Sequence, residues 1–274
     1  MSAPPTGDAR RTGERGVALV TGASAGIGRE FAEQLAARGY DLVLIARDAA
    51  RLESAAAELR TRHGAPVEVL PADLASDADT DRVVARVAAE PRLSMLVNNA
   101  GFGTLGTLAE ASAESQEAMV RVHVLASLRL TQAAARVLAV RGAGAIVNVS
   151  SVAAWATAAG NVNYCATKAY LTSLSIGAWA ELRPRGVQVQ ALCPGFTHSE
   201  FHARMGSDKG EIPGWAWLDA RRVVRDSLRQ LDRRGGPVCV PALRYKLVVF
   251  VLRRLPYSVL ARLSRPPARR EAPA

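Results

Sequence analysis

The chain has 274 residues, 49% of them hydrophobic and 22% charged, with a formal net charge of +10. No apolar run approaches the roughly 18 residues that cross a bilayer, and three scattered cysteines (Cys165, Cys193, Cys239) exclude a disulfide framework or a cysteine-built zinc site. Nor is the charge a nucleic-acid footprint: seven Arg and one Lys stand against Glu271 between 243 and 274, a local +7 that leaves +3 for everything before it.

Residues 1–15 are Pro-, Gly- and Arg-containing without an apolar stretch, and are expected to be a disordered arm with no secretory signal. The chain is therefore expected in the cytoplasm. Short Val/Leu/Ile runs then alternate with Ala/Arg/Glu stretches of helical period. Val17–Val20, Leu42–Ala46, Val67–Leu70, Leu93–Val97, Ala145–Val149 and Val187–Leu192 read as strands buried on both faces, hence parallel. Between them, Ile27, Phe31 and Leu35 stack on one helix face that ends at Gly39. Leu52, Ala56 and Leu59 repeat the pattern, and Ser76 and Asp77 cap a third helix. This alternation predicts an α/β fold, a single doubly wound Rossmann-type domain over 16–242. After Gly195 the period breaks into a Gly/Pro/Trp-rich stretch, and 196–218 is expected to form a lid. A helix (Asp219–Asp232) and a short strand (Val238–Val240) follow, and 243–274 forms a basic, apolar C-terminal extension.

Directly after the first strand, Thr21-Gly22-Ala23-Ser24-Ala25-Gly26-Ile27-Gly28 opens the first helix. Glycines at this point allow the tight turn and let the backbone approach a pyrophosphate at the helix N-terminus. The second strand ends in Ala46-Arg47-Asp48 and not in a lone acid, and Arg29 follows the last loop glycine. An acid there would bind a ribose 2′-hydroxyl, whereas arginines suit a 2′-phosphate. Arg47 and Arg29 are therefore expected to clamp the 2′-phosphate of NADP(H), with Asp48 as the N-cap of the next helix; the plainer reading of Arg29 is a surface cation.

Tyr164-Cys165-Ala166-Thr167-Lys168 places a phenol and an ammonium one helical turn apart. The ammonium is expected to bring the phenol down from its usual value of about 10 toward the range of proton transfer. Lys168 is one of three lysines among 35 basic residues, so this position calls for Lys where Arg is the default. Ser151, just past the strand Ala145–Val149, is placed to donate to the same substrate oxygen.

With these residues in view, the sequence resembles the short-chain dehydrogenases/reductases, in particular their NADP-preferring carbonyl reductases, from about Val17 to Val240. The resemblance rests on the Thr21–Gly28 loop, Asp73-Leu74, Asn98-Asn99-Ala100-Gly101, Ser151, Tyr164-x-x-x-Lys168 and Pro194-Gly195-Phe196-Thr197. It implies a cofactor site in which Asp73 and Leu74 lie near adenine, Asn99, Ala100 and Gly101 along the cofactor, and Pro194, Gly195 and Thr197 at the nicotinamide. Tyr164 and Lys168 would also hold the ribose. It further implies a homodimer or homotetramer and a carbonyl/secondary-alcohol substrate pair. Many members carry an Asn where this chain has His123; His123 either relays the proton in its place or is a buried, hydrogen-bonded histidine. The alternative to an enzyme is an NADP(H)-binding protein with weak or no turnover.

Trp155, Phe196, Phe201, Trp215 and Trp217 suggest an apolar substrate, or equally aromatics that pack against the protein itself. His198-x-Glu200-x-His202 has no evident third ligand, so no metal is expected. Arg244–Pro256 is apolar at its core and broken at Pro256, which predicts two short helices. It is expected first to cover the pocket or an interface, with reversible membrane contact through 244–270 as the second possibility.

Overall fold

The structure, a computed structural model, describes residues 15–104, 106–198 and 213–264. The expected arm lies outside these residues except for Arg15, as do Glu200, Phe201, His202 and Ile212 of the expected lid. A seven-stranded, all-parallel sheet runs in the order β3-β2-β1-β4-β5-β6-β7. Its strands are β1 (Val17–Thr21), β2 (Asp41–Ala46), β3 (Val67–Pro71), β4 (Leu93–Asn98), β5 (Gly144–Val149), β6 (Val187–Leu192) and β7 (Val238–Cys239). All seven expected strands are present. Their runs of Val, Leu and Ile are apolar at consecutive positions because both faces of a parallel sheet are covered.

Helices α1 (Gly26–Ala37), α2 (Ala49–His63) and α7 (Ala220–Asp232) cover one face, burying Phe31, Leu35, Leu52, Leu59, Val223 and Leu228 against it. On the other face, α3 (Asp77–Ala88), α5 (Ser127–Arg141) and α6 (Val162–Leu182) lie over Leu19, Val43, Ile45 and Ile146. The helix ends follow the sequence signals. Asp48 Oδ1 accepts from Arg51 N–H at 3.0 Å, Ser76 Oγ from Asp79 N–H at 3.4 Å, and Gly64 closes α2 at φ +62°.

Two features position the site. After β3 the chain crosses the sheet to form β4 beside β1, so the connections on either side of that pair diverge and leave a crevice past the strand ends. Beyond β7 the chain passes through Ala242, held at φ +67°, into α8 (Leu243–Leu252). It then breaks at Pro256, as expected, into a second short helix, α9 (Tyr257–Leu263).

Candidate active site

The crevice is a single cleft of about 1070 Å³ along the C-terminal strand ends. At one end it is lined by the turn between β1 and α1, through Gly22, Ser24, Gly26 and Ile27. Gly22 and Gly26 hold φ +65° and +56°, where a side chain would strain the backbone. Thr21 lies beneath this turn and not in the cleft: its Oγ1 accepts from Asn99 N–H (2.9 Å) and Ala100 N–H (3.0 Å). The Asn99 amide lies along the cleft but spends its donors on Thr21 O (2.9 Å) and Gly22 O (3.2 Å). Gly28 is a packing position, since a Cβ there would stand 2.3 Å from Gly22 O. The phosphate-loop glycines thus divide into two that shape the turn and one that lets α1 approach it.

Ala100, Gly101, Asp73 and Leu74 also line this end, together with Arg47, Asp48 and Arg51 from the start of α2. Arg29 does not belong to it. Its guanidinium is held by Glu33 at 3.2 Å and Glu58 at 2.9 Å, so the expected arginine clamp is corrected: Arg47 reaches the cleft, whereas Arg29 is turned toward the carboxylates of α1 and α2. Arg51 is the cleft cation that the sequence reading missed. It stands in the first turn of α2, four residues after Arg47, which precedes the helix.

Midway along the cleft stand Ser151, Tyr164 and Lys168. Ser151 caps the short turn Val152–Trp155 by accepting from Ala153 N–H at 3.1 Å, and it is hydrogen-bonded to Tyr164. Lys168 Nζ donates to Val149 O at 2.8 Å and lies 5.6 Å from the centre of the Tyr164 ring. Burial pushes the phenol up to about 12, against the opposing hydrogen bond from Ser151. Part of the Tyr164 side chain is open to the cleft, so solvent there limits this shift. Burial also pulls Lys168 down to about 8. The expectation of a lowered phenol is therefore corrected for this arrangement: desolvation prevails, and Tyr164 is held as a protonated donor.

His123 occupies a different place from the one expected for a relay. It lies in a single π-helical turn, Arg121–Ala126, between α4 (Ala113–Val120) and α5, fully buried and absent from the cleft lining. Its Nε2 accepts from Phe102 N–H at 3.0 Å, while its Nδ1 lies 3.0 Å from Thr167 Oγ1. The Thr167 hydroxyl gives its proton to Tyr164 O, so Nδ1 must be the donor of the pair. Burial, with the Lys168 charge nearby, holds the ring well below its ordinary value and thus neutral. Both nitrogens are occupied, so His123 fastens the Gly101–Phe102 loop to the helix that carries Tyr164 and has no lone pair left for a relay.

The other end of the cleft is apolar. Phe102, Ala118, Val122, Val152 and Phe196 line it, with Leu252 arriving from α8. Pro194, Gly195 and Thr197 border the junction of the two ends. Most of the expected substrate aromatics serve other purposes: Trp155 packs on the core, Trp217 is buried and stacked on His198, and Trp215 is 71% exposed. Missed by the sequence reading was Tyr245 of α8. Its hydroxyl donates to Ala216 O at 2.6 Å and accepts from Phe196 N–H at 3.1 Å, with its ring against Gly195.

A family model described as short chain dehydrogenase matches residues 16–210. The chain belongs to the short-chain dehydrogenase family. A very-long-chain 3-oxoacyl-CoA reductase from Podospora anserina is 36% identical over 186 residues, covering 66% of this chain and 55% of that protein, so the match spans little more than half of that relative. Among solved structures, a short-chain dehydrogenase from Sphingobium yanoikuyae in complex with NADPH superimposes with a TM-score of 0.80 at 37% identity, over 93% of this chain and 98% of that one. A bulky-bulky ketone specific alcohol dehydrogenase from Comamonas testosteroni does so with a TM-score of 0.76 at 33% identity, over 93% and 97%. Among the described residues no cluster of three or more potential metal ligands occurs, and no helix is long and apolar enough to cross a membrane.

Proposed function

We propose that the protein is an NADPH-dependent oxidoreductase that reduces a ketone flanked by bulky apolar groups to the secondary alcohol. The observation that carries this reading is the convergence of Ser151, Tyr164 and Lys168 between a glycine-lined end that holds Arg47 and Arg51 and an apolar end of one cleft. The Sphingobium structure, with its NADPH, supports the cofactor, and the Comamonas enzyme, named for bulky ketones, supports the substrate class.

The residues present suit a dinucleotide phosphate. Gly22 and Gly26 keep the turn bare, and Arg47 stands at the end of β2, while the Asp48 carboxylate is already engaged in capping α2. Lys168 and Tyr164 would hold the nicotinamide ribose. When bound, the nucleotide supplies the hydride for the carbonyl carbon. The Tyr164 phenol gives its proton to the carbonyl oxygen, and Ser151 donates a hydrogen bond to that oxygen as negative charge develops there. Lys168, one turn away, stabilises the phenolate left behind. The neutral His123 keeps Phe102 and the Tyr164 helix in register, so that the proton donor and the cleft wall move together.

The test is NADPH oxidation followed by fluorescence, across ketones with two bulky substituents, 3-oxoacyl thioesters of increasing chain length, and polar sugars. Turnover concentrated on the apolar substrates is expected. NADPH binding without oxidation by any substrate would favour a cofactor-binding protein instead. We further read the protein as a cytoplasmic homodimer or homotetramer, on the family resemblance; light scattering of the purified chain tests the assembly.

A further inference from the structure

Helix α8 has two faces with different fates. Tyr245, Val249 and Leu252, spaced four and three apart, point inward: the first two are buried, and Leu252 lines the cleft. The outward stripe is Leu243, Leu247, Phe250 and Val251, and these are 81%, 63%, 53% and 45% exposed. A surface helix ordinarily turns polar residues outward, and one that is apolar all round requires cover on both sides. The same region exposes Trp215, in the Gly214–Ala216 turn bonded to the start of α8 through Tyr245 and through Arg244, which donates to Trp217 O.

Charge identifies the cover. Lys246, Arg253 and Arg254 are exposed around the stripe, and the Arg254 guanidinium lies 3.5 Å over the Phe250 ring. From Arg233 to Arg270 the sequence holds no Asp or Glu at all. A second copy of the chain would bring like charges rim to rim with no acid in the segment to receive them. A surface of anionic headgroups over hydrocarbon answers both the cations and the apolar stripe.

We propose that α8 is a docking helix for an anionic bilayer surface. It lies in the interface with Leu243, Leu247, Phe250 and Val251 among the lipids and Lys246, Arg253 and Arg254 at the headgroups. The expectation from sequence set a pocket cover against a membrane contact; the helix serves both, one on each face. Docking then sets the apolar end of the cleft beside the lipid, where an apolar ketone would be dissolved. That last consequence rests on the function proposed above, whereas the docking does not.

The experiment is co-sedimentation of the purified full-length chain with vesicles of phosphatidylcholine alone or mixed with phosphatidylserine, at low and high salt. The wild type is expected to sediment with the mixed vesicles, to stay in solution with the neutral ones, and to be released by salt. Each of Lys246→Gln and Arg253→Gln should weaken partition about fivefold. Leu247→Asp with Phe250→Ser should abolish it at an unchanged thermal midpoint, since both side chains face outward. A wild type that remains in solution with the mixed vesicles overturns the proposal. So does binding that survives the Leu247→Asp/Phe250→Ser change. So, too, does a doubled mass in light scattering that this change halves without any vesicle binding, which would make the face a contact between copies. None of these readouts depends on turnover, so a failure here is distinguishable from a failure of the proposed reaction.

Discussion

The two ends of the cleft are held by different means. At the glycine end, the turn and the segment after β4 are fixed by bonds between strand termini in the middle of the sheet: Thr21 Oγ1 ties β1 to the Asn99–Ala100 backbone, and the Asn99 amide ties it back to Thr21 and Gly22. At the apolar end, Phe196 and Leu252 come from segments that follow β6 and are held by a few side chains. Tyr245 joins the Gly195–Phe196 loop to Ala216, and Ser264 accepts from Ala159 N–H. The first arrangement yields a site whose shape is set with the core. In the second, shape depends on whether α8 is in place, so substrate choice can change without disturbing the nucleotide end.

The largest expected effect breaks the chemistry where the two ends meet. Tyr164→Phe removes the phenol hydroxyl between Ser151 and the open cleft and should lower turnover by roughly 10²- to 10⁴-fold. NADPH affinity, measured by fluorescence titration, should fall far less than turnover, because Lys168 still holds the ribose and the glycine end is built without that hydroxyl. Comparable losses in both would mean that the ends are not separable.

Next is the charge buried between them. Lys168 has its value lowered from 10.5 to about 8, so the folded protein releases this proton before the unfolded chain does. Stability attributable to Lys168 therefore rises with pH from about 8 to 10.5, and the cost of the buried ammonium is fully present below that window. Relative to Lys168→Met, the wild type should gain up to about 3 kcal/mol across this range in denaturant unfolding. The comparison must be between the two proteins. Cys193 and Cys239, pushed up to about 12 by burial, contribute the opposite slope above their ordinary value of 9 in both. A difference that does not vary with pH would place the ammonium in a polar environment that the geometry does not show.

The contrast between the ends also explains what could be read from the chain. The phosphate loop, the Tyr164–Lys168 pair and the strands themselves follow from local spacing, because the groups involved sit within one turn, one strand or one strand-to-helix junction. Ser76 and Asp48 were legible as caps for the same reason. What was misread depends on partners far away in sequence. Arg29 stands beside the loop, but Glu58, 29 residues later, takes its guanidinium. For His123 the sequence left two readings open, a relay and a buried, hydrogen-bonded histidine; the second holds, and what decides it is a pair of bonds to a loop 21 residues before it and a helix 44 residues after it. The hydroxyl of Tyr245 meets Phe196 across 49 residues. Aromatic content alone did not tell Trp155, which packs inward, from Phe196, which lines the cleft.

A smaller effect tests the apolar end. Tyr245→Phe keeps the ring against Gly195 but strips Phe196 N–H of its acceptor and Ala216 C=O of its donor. The loss should be about 1–2 kcal/mol of stability, with faster hydrogen exchange at Phe196 as its local mark. Affinity for NADPH should fall less than the specificity between large and small ketones. If NADPH affinity falls most, Tyr245 serves the nucleotide end, and the boundary between the two ends lies beyond α8.

The smallest effect is the one that separates two arginines. Arg47→Asp puts a carboxylate at the end of β2 and should weaken NADPH by at least tenfold relative to NADH, since a like charge meets the 2′-phosphate where a cation stood. Arg29→Ala should leave the NADPH/NADH ratio within about twofold, because its guanidinium is committed to Glu33 and Glu58 and is absent from the cleft lining. Its cost should appear as a stability change below about 1 kcal/mol, the ordinary range for partly exposed ion pairs, and should shrink in salt. A large and selective loss of NADPH in Arg29→Ala would mean that Glu33 and Glu58 release the side chain to the nucleotide. The arginine clamp expected from sequence would then be restored.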